Sequence, residues 1–566
     1  MPLAVAFFLS GAAALILQVL WTRMMGHVLG ASALAVSTVL TVFMGGLALG
    51  SHLGGQRARA IRRPVLAFAV LEAGVGLYGL AVPTLLESLP TLQVGLAYVW
   101  GEARDGQALL RFFLAALVLL PPTTAMGATL PLLAEAAVGR MRRMAETTGR
   151  LYAANTLGAV AGALLSGFWL IPTLGISTTV RVAAGIDIAV ALGVLLAFRV
   201  GGEPWLVARE APSEAIHLYE AAEDLRVKAS PKEQRRALLV FALSGASAMA
   251  LEVLWTRAVG VVIGASTYAF TLILSTFLVG LAGGAAATSR AVSRILDPLR
   301  RLAQVEIAVG VFTVLAALVI DRLPLWLHEA TRDEELTHAG LYVTHFLLTA
   351  AVTLPATLAL GAVMPLVLAT LASSTASHAG AVVGRAYALN TLGAILGSFA
   401  GGFMLLPLLG VERGLEFSGL MSALLGLYLL GHRWRRAGPE ALVVAAVAAV
   451  ALAGPRWDVE RWTAGMFRFY LARDVYRYGW SSSTEVIHHH DGVATTVTVG
   501  RYPGRTDGLG VVLKVNGKVD ASDVGDMPTQ VLRRLDPGPL QFGRDLRGPQ
   551  KLLHIFSADS EGLERS

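Results

Sequence analysis

Cysteine is absent from this 566-residue sequence, and charged residues make up only 15% of it. The first absence excludes disulfide bonds and thiolate chemistry, although it says nothing about the cellular compartment. The charged fraction is far below the about 25% of a typical soluble domain. Hydrophobic residues instead reach 55% and are concentrated in runs of about 18 or more, long enough to cross a bilayer as helices. The composition therefore predicts a polytopic membrane protein with the lipid bilayer as its first partner.

Two further classes of protein are disfavoured by where the basic residues lie. The formal net charge is +7, but the basic residues sit in short loops between apolar runs, as membrane orientation requires, so we expect no nucleic-acid partner. The first apolar run starts almost at Met1 without a basic segment before it. We therefore expect a first membrane helix rather than a cleaved signal peptide.

An internal repeat organises most of the chain. The sequence LQVLWTR at 17–23 returns as LEVLWTR at 251–257, so that Gln18 corresponds to Glu252, and GRLYAANTLGAVAG at 149–162 returns as GRAYALNTLGAILG at 384–397. Each copy holds six apolar runs, near 4–22, 32–50, 65–85, 109–137, 151–171 and 179–198, and near 238–256, 266–286, 303–320, 341–371, 385–406 and 414–431. Because six is even, both copies enter the membrane from the same side. The sequence predicts two parallel repeats of six transmembrane helices, as in the two halves of major-facilitator transporters.

Clusters of arginine predict the orientation of these helices. They follow the second, fourth, eighth and twelfth runs: Arg57, Arg59, Arg62 and Arg63; Arg140, Arg142, Arg143 and Arg150; Arg290, Arg294, Arg300 and Arg301; Arg433, Arg435 and Arg436. By the positive-inside rule the N-terminus and the linker are cytoplasmic, in a multi-pass protein of the cell (inner) membrane. The predicted units are repeat 1 at 1–198, the linker at 199–237, repeat 2 at 238–431, a connector at 432–479, a β-hairpin region at 480–532 and an atypical tail at 533–566.

A thirteenth apolar run, Ala441 to Gly454, leaves the side of the C-terminal region open. It is shorter than the about 20 residues that a spanning helix needs. If it crosses the membrane, everything after it is outside. If it lies flat or packs as a hairpin, the tail is cytoplasmic, and this second arrangement is the one we expect.

Two acidic residues inside the membrane runs are candidate functional groups. Glu72 and Glu306 lie in the third run of each repeat, where a charge costs about 2.5–3.5 kcal/mol. We expect both to face the bundle interior and to pair with Arg150 and Arg385, or with nearby polar groups. Two interpretations remain open: structural ion pairs, or a proton or cation site.

Other polar positions are weaker candidates. Glu252 is the only acid at its repeat position and is expected to act as a capping or hydrogen-bonding residue near the outer helix end. Asn155 and Asn390 are more typical of hydrogen bonding between helices than of ligand binding. The fourth runs, PPTTAMGATLP at 121–131 and PATLALGAVMP at 355–365, predict matching interrupted helices at a central binding site, or kinks needed only for packing.

The periodicity changes near the C-terminus. ATTVTVG at 494–500 and GVVLKV at 510–515 are β-branched runs that predict a hairpin, and Asn516-Gly517 predicts a type I′ turn. His488, His489 and His490 precede it, but consecutive residues of a strand point in different directions, so we expect no metal site.

Several sequence words together carry a family resemblance. HHDGVATTVTVGR, LKVNGKVDAS and GDMPTQVL resemble the N-terminal β-hairpin region of spermidine synthases. With SGAxAxxLxVLWTR and GRxYAxNTxGAxxG, present once in each repeat, they resemble bacterial membrane-fused spermidine synthase-like proteins. The resemblance implies a major-facilitator-like membrane part and polyamine biosynthesis, in which an aminopropyl group passes from decarboxylated S-adenosylmethionine to putrescine.

The same resemblance implies a substrate site in the tail, at Asp520, Asp526 and Gln530. Soluble members carry a Tyr-His-Glu triplet where this chain has Thr529, Gln530 and Val531, which weakens the expected specificity for polyamines. The reaction also needs a carboxylate base and a nucleoside-binding Rossmann domain. Which residues are catalytic is not indicated.

After Leu532 the family character ends. Residues 533–566 hold no GxGxxG-like loop and are too few for the several strands and crossover connections of a parallel sheet. We therefore expect a mainly α, polytopic protein with a small C-terminal β-hairpin region that lacks its Rossmann domain. Such a chain, truncated or frame-shifted, would hold no cofactor and would not catalyse aminopropyl transfer alone. Its exposed hairpin edges would favour pairing with a second copy. The alternative is a major-facilitator-like transporter or membrane scaffold for a polyamine or another small solute.

Overall fold

The computed structural model describes residues 2–29, 33–100, 104–138, 144–201, 227–264, 266–331, 337–372, 379–431, 438–465, 467, 485–492, 495–503 and 509–522. The described chain is mostly helical and ends in a small sheet. The first repeat forms six helices: α1 Pro2–Leu29, α2 Ala33–Ala58, α3 Pro64–Trp100, α4 Arg104–Ala137, α5 Met144–Leu165 and α6 Ile171–Gly201. Each is long and apolar, as a bilayer requires.

The second repeat forms the matching set, with one addition. Its helices are α7 Pro231–Ile263, α8 Thr267–Ala291, α9 Pro298–Ala317, the short α10 Leu323–Ala330, α11 His338–Leu371, α12 Ala379–Ala400 and α13 Leu406–Leu430. Nine continuous segments of the described chain are long and apolar enough to cross a membrane, and two of them, Met144–Val200 and Ala379–Leu430, each contain two helices. The chain is therefore a multi-pass membrane protein built of two six-helix halves.

The predicted interruption of the fourth helices is wrong. Helices α4 and α11 run without a break through their internal prolines. Threonine hydroxyls donate to carbonyls of the preceding turn, Thr123 to Leu119 O at 2.7 Å and Thr357 to Thr353 O at 2.9 Å. In helices a threonine hydroxyl commonly bonds in this way to the carbonyl four residues earlier.

The breaks lie instead at the junction of the fifth and sixth helices. One π-helical turn occupies Ser166–Leu170 and a second occupies Gly401–Leu405. Each is followed by a glycine with positive φ, Gly175 at 73° and Gly410 at 76°. Only glycine adopts this backbone without strain, so the repeat preserves the kink in both halves.

The apolar side chains form three cores: one that contains residues of both halves, and two that each contain residues of one half. The end of the bundle near the linker has a single core drawn from both halves, including Phe7, Phe68, Phe241 and Met364. The opposite end, which we call the far end, has a separate core in each half. The halves are therefore joined by apolar packing chiefly at the linker end.

A further helix, α14 Gly438–Ala453, follows the second half. At its start Glu440 accepts from Arg300 Nη2 at 2.9 Å, near the start of α9. Just after its end, Trp457 Nε1 donates to Ala317 O at 2.6 Å, at the end of α9. Val444, Val447 and Ala451 pack between these points against α9 and α13. Helix α14 thus runs parallel to α9 over its whole length.

A four-stranded antiparallel sheet closes the described chain, after the short helix α15 Val459–Trp462. Its strands are β1 Glu485–Asp491, β2 Thr496–Pro503, β3 Leu509–Val515 and β4 Lys518–Ser522, in the order β1-β2-β3-β4. The predicted hairpin is confirmed as β2 and β3. Asn516 and Gly517 both have positive φ, 49° and 77°, as a type I′ turn requires. No βαβ unit occurs among the residues described.

The sheet docks on the far end of the second half. Asp491 Oδ2 accepts from the Val411 N–H at 3.0 Å, directly after the Gly410 kink. Arg257 Nη1 donates to Asn516 Oδ1 at 3.2 Å, and Trp462 Nε1 donates to Ala258 O at 3.0 Å. The NGK turn of the tail and the LWTR word of the membrane repeat are therefore direct neighbours.

Candidate functional site

A cavity of about 260 Å³ lies between the two halves. It is lined by α1, α2, α4 and α5 from the first half and by α7, α8, α11 and α12 from the second. The lining residues fall near the middle of α2, α5, α7, α8 and α12 and closer to the linker end of α1, α4 and α11. The cavity therefore lies inside the bundle between the repeats, where repeat-built membrane proteins place their solute sites.

Equivalent residues of the two repeats face each other across this cavity. The rings of Tyr152 and Tyr387 meet edge to face with centroids 6.5 Å apart. Asn155 and Asn390 line the wall beside them. Their amides donate to carbonyls of neighbouring helices, Asn155 to Phe7 O at 3.1 Å and Asn390 to Phe241 O at 2.8 Å. The two asparagines thus act as the expected interhelical hydrogen-bonding residues while also forming part of the cavity wall.

Glu252 breaks the symmetry of the cavity. It is the one carboxylate among the lining residues, and its repeat counterpart Gln18 lines the cavity too. No described residue forms a salt bridge with it. The expectation of a capping role near the outer helix end is wrong, because Glu252 lies inside α7 and reaches the central cavity. One half thus presents a charge where the other presents a neutral amide.

Glu72 lies outside the cavity, inside the first half. Its carboxylate is 3% exposed and accepts from Ser10 Oγ at 2.8 Å. The prediction that Glu72 pairs with Arg150 is wrong, because Arg150 forms an ion pair with Glu146 on its own helix at 2.7 Å. Ser10 also lines the cavity, so a single side chain separates Glu72 from it.

A second acid beside Glu72 was missed by the sequence analysis. Asp187 of α6 is 1% exposed, interacts with Glu72 and leaves Oδ2 without a hydrogen-bond partner among the described residues. An aspartate inside the apolar run at 179–198 was the available signal. At the matching place the second half carries Ser422, which shares a 2.7 Å hydrogen bond with Ser247.

Glu306 repeats the position of Glu72 in the second half. It is fully buried, and the Ser244 hydroxyl lies near it, although neither carboxylate oxygen has a close hydrogen-bond partner in the described chain. Arg385, the arginine that was predicted to pair with Glu306, is exposed on α12. Both repeats therefore bury a glutamate beside a serine and away from arginine.

The tail residues implied by the family resemblance are only partly described. Asp520 lies in β4 and forms an ion pair with Lys518 at 2.8 Å, whereas Asp526 and Gln530 lie outside the described residues. His489 contacts Trp462 edge to face and approaches Asp491 at 3.6 Å. No group of three or more metal-ligating side chains occurs in the described part of the chain.

Asp491 is the best-connected acid of the tail. Burial alone would raise its pKa, but the hydrogen bonds from His489, Thr496 and the Val411 N–H outweigh burial and hold the pKa below its usual value. In contrast, burial lowers the pKa of Lys514 despite the nearby Glu460. The junction between sheet and bundle therefore favours a charged Asp491.

Comparison with known sequences gives two partial matches. No protein-family model matches the chain. Polyamine aminopropyltransferase 1 of Streptomyces coelicolor is 27% identical over 177 residues, which cover 31% of this chain and 29% of that protein. Polyamine aminopropyltransferase 2 of the same organism is 30% identical over 193 residues, or 33% of this chain and 32% of that protein. The match thus spans about a third of the length of these curated relatives.

Solved structures give matches to helical membrane carriers. The proton:xylose symporter XylE superposes with a TM-score of 0.46 at 13% identity, covering 76% of this chain and 94% of that one. A bacterial homologue of the iron transporter ferroportin gives a TM-score of 0.45 at 13% identity, covering 79% and 98%.

Proposed function

We propose that the chain is a membrane-integrated relative of the polyamine aminopropyltransferases whose membrane part binds a small organic amine, as its ammonium, in the central cavity. The observation that supports this most is Glu252, the single carboxylate lining a cavity inside the bundle between the two repeats. A half-buried carboxylate within the bundle that has no described cationic partner favours a ligand that brings a positive charge.

The other cavity groups suit the same ligand. The Tyr152 and Tyr387 rings offer π faces to a cation, and Gln18 offers a neutral acceptor at the position opposite Glu252 in the repeat. One charge and one neutral acceptor suit an amine with a single strongly bound ammonium. The cavity, with a carboxylate on one side and a neutral amide on the other, also suits a diamine of the putrescine type. Glu252 would hold one of its ammonium groups and Gln18 the other.

The relation of this cavity to aminopropyl transfer is part of the proposal. That reaction requires an amine nucleophile, a base and a sulfonium donor. We assign amine binding to units 1–198 and 238–431, joined by the linker 199–237. The connector 432–479 and the hairpin region 480–532 form the junction to the synthase-like part, and we assign residues 533–566 no role. In this arrangement the membrane part delivers or senses the amine, and decarboxylated S-adenosylmethionine is a co-substrate bound outside this chain.

Carriage of the amine across the membrane is the second candidate function. This function is favoured because equivalent helices of the two halves surround one cavity. Such an arrangement allows one half to rock against the other around a fixed site. A membrane scaffold without a ligand would leave Glu252 unexplained.

Calorimetry on the purified full chain in detergent tests the amine site. Putrescine should bind wild-type protein, and Glu252→Gln should weaken binding about 10- to 100-fold, as expected for a charge-assisted hydrogen bond of about 1.5–3 kcal/mol. Gln18→Glu should tighten diamine binding. Glu485→Gln, an exposed change in the sheet, is the matched control and should bind as wild type. Equal binding by wild type and Glu252→Gln, or no binding by wild type, would refute the assignment.

A further inference from the structure

The course of α14 determines on which side of the membrane the sheet lies. The helix has only 16 residues, too few by length alone for a typical span. Its two ends are nevertheless fixed at opposite ends of α9. Glu440 also accepts from Gln304 Nε2 at 3.2 Å near the start of that helix, and Arg461 pairs with Asp321 at 3.3 Å just beyond its end. A chain that follows α9 from end to end crosses the same thickness that α9 crosses.

The contacts with α13 give the same answer independently. Helix α13 runs antiparallel to α14. Arg456 after the end of α14 pairs at 2.9 Å with Glu416, six residues after the Gly410 kink of α13. Leu427 near the end of α13 packs against the apolar cluster that contains Val444, Val447 and Ala451 of α14. The polypeptide therefore changes sides between Glu440 and Arg456.

The sheet is held on the side that α14 reaches. Its described bonds go to Arg257 and Val411, and Trp462 of the preceding segment bonds to Ala258. Helix α7 reaches Arg257 after starting at the linker, and α13 leaves the same face at Val411. Val227 of the linker, in contrast, bonds to Leu296 between α8 and α9 at 2.8 Å. Linker and sheet thus lie at opposite ends of the bundle.

From these contacts and the arginine distribution we infer that α14 is a thirteenth membrane span and that it places the C-terminal sheet on the extracytoplasmic face, docked on the second half of the bundle. Helices α2, α4, α8 and α13 all end at the linker end of the bundle, and in the sequence an arginine cluster follows each of these ends. The positive-inside rule makes that end cytoplasmic. This inference rests on the fold and the loop charges and is independent of the amine site.

The inference changes where the chemistry of the tail takes place. The sheet then faces the extracytoplasmic solution. A charged sulfonium nucleoside made in the cytoplasm does not cross the bilayer unaided. Aminopropyl transfer at this sheet would require a donor supplied from outside.

The absence of cysteine from the chain makes the test direct. Single cysteines are introduced at two sheet positions, Glu485→Cys and Lys518→Cys, and at two linker-end positions, Ser213→Cys and Ala60→Cys. Intact cells are treated with a membrane-impermeant maleimide, and a second sample is treated after permeabilisation. Labelling in denaturant gives the total for each variant, so that loss of folding or expression is not read as protection. The cysteine-free parent measures background.

The expected result is labelling of positions 485 and 518 in intact cells, with positions 213 and 60 labelled only after permeabilisation. Protection of all four positions in intact cells would show that α14 does not cross the membrane and would overturn the inference. Labelling of 213 and 60 but not of 485 and 518 would reverse the orientation and would overturn the extracytoplasmic placement. Labelling of all four in intact cells would contradict the separation of the two ends.

Discussion

At the scale of single residues, the two halves differ most where a carboxylate in one faces a neutral group in the other. Glu252 and Asp187 have no acidic counterparts, since Gln18 and Ser422 stand at the matching positions. Comparison of the repeats drew attention to Glu72 and Glu306 because both copies carry them. It gave no reason to select Asp187, whose role depends on a neighbour 115 positions away in the sequence. Contacts of that kind arise from tertiary packing and leave no local pattern.

The Glu72–Asp187 pair should reduce the stability of the first half. Two neighbouring buried carboxyls without a described cation repel each other when both are charged. Asp187→Asn keeps the shape and removes one charge, so we expect the free energy of unfolding to rise by about 1–3 kcal/mol, measured by thermal unfolding in detergent. Glu72→Gln should give a similar gain, and the double variant should gain less than the sum of both. Fully additive effects, or destabilisation by Asp187→Asn, would show that the two carboxyls do not oppose each other.

At the scale of secondary-structure elements, length and apolar pattern predicted most helices but not their irregularities. The internal prolines of α4 and α11 predicted breaks, yet both helices are continuous through them. The real kinks lie at the glycines 175 and 410. Both end a P-x-L-G sequence, at 172–175 and 407–410, that recurs in the repeat and that the sequence analysis did not single out. The sequence left open whether the apolar run that forms α14 spans the membrane, because the run is shorter than a typical span. The polar residues at its two ends, which contact α9 and α13, do not contribute to its apolar length.

The kink at Gly410 creates a new helix start that the sheet caps. Because the backbone before Val411 is not helical, the Val411 N–H lacks a helical partner and donates to Asp491. Asp491→Ala should destabilise this junction by about 1–3 kcal/mol, and Asp491→Asn should cost less because its amide oxygen still accepts. Faster hydrogen exchange at the Val411 amide checks this locally. Glu485→Gln on the same sheet should leave that exchange unchanged.

The pH dependence of the junction follows from the lowered pKa of Asp491. A carboxyl with a lowered pKa in the folded state adds stability above its unfolded pKa, here 3.8, and that stability is lost as the pH falls through the lower folded value. We therefore expect Val411 protection to be constant near neutral pH and to fall only in strong acid. In Asp491→Asn this acid-dependent step should be absent; its persistence would assign the step to another group.

At the scale of the whole molecule, the repeat predicted two matched six-helix sets, and the structure shows them. The sequence could not predict that the sets share one core at the linker end and keep separate cores at the far end. That distribution depends on which faces of the helices meet. The polar cavity residues were partly visible as Asn155, Asn390 and Glu252, because polar residues in apolar runs are few. The tyrosine pair was not, since Tyr152 and Tyr387 resemble ordinary core residues in sequence.

A covalent link at the linker end should separate binding from transport. A Cβ atom on Gly380 would lie 2.7 Å from that of Ala58, so a small shift would bring cysteines at 58 and 380 to the spacing of about 3.8 Å that a disulfide needs. If the halves rock to carry an amine, the oxidised double variant should keep putrescine binding and lose uptake into proteoliposomes, and reduction should restore uptake. The single variants, Ala58→Cys and Gly380→Cys, are the controls. Undiminished uptake by the oxidised protein would exclude rocking at this end.

The shared core also has a consequence for biosynthesis. Residues 2–201 leave the ribosome before the second half exists, and the surface formed by Phe7, Phe68 and their neighbours then lacks half of its partners. Only the far-end core that consists of first-half residues alone can form completely at that time. A nascent chain in this condition exposes apolar surface that lipid, an insertase or a chaperone must cover until α7, α11 and α12 arrive. The first half expressed alone should therefore be degraded quickly, and co-expression of the second half as a separate polypeptide should protect it.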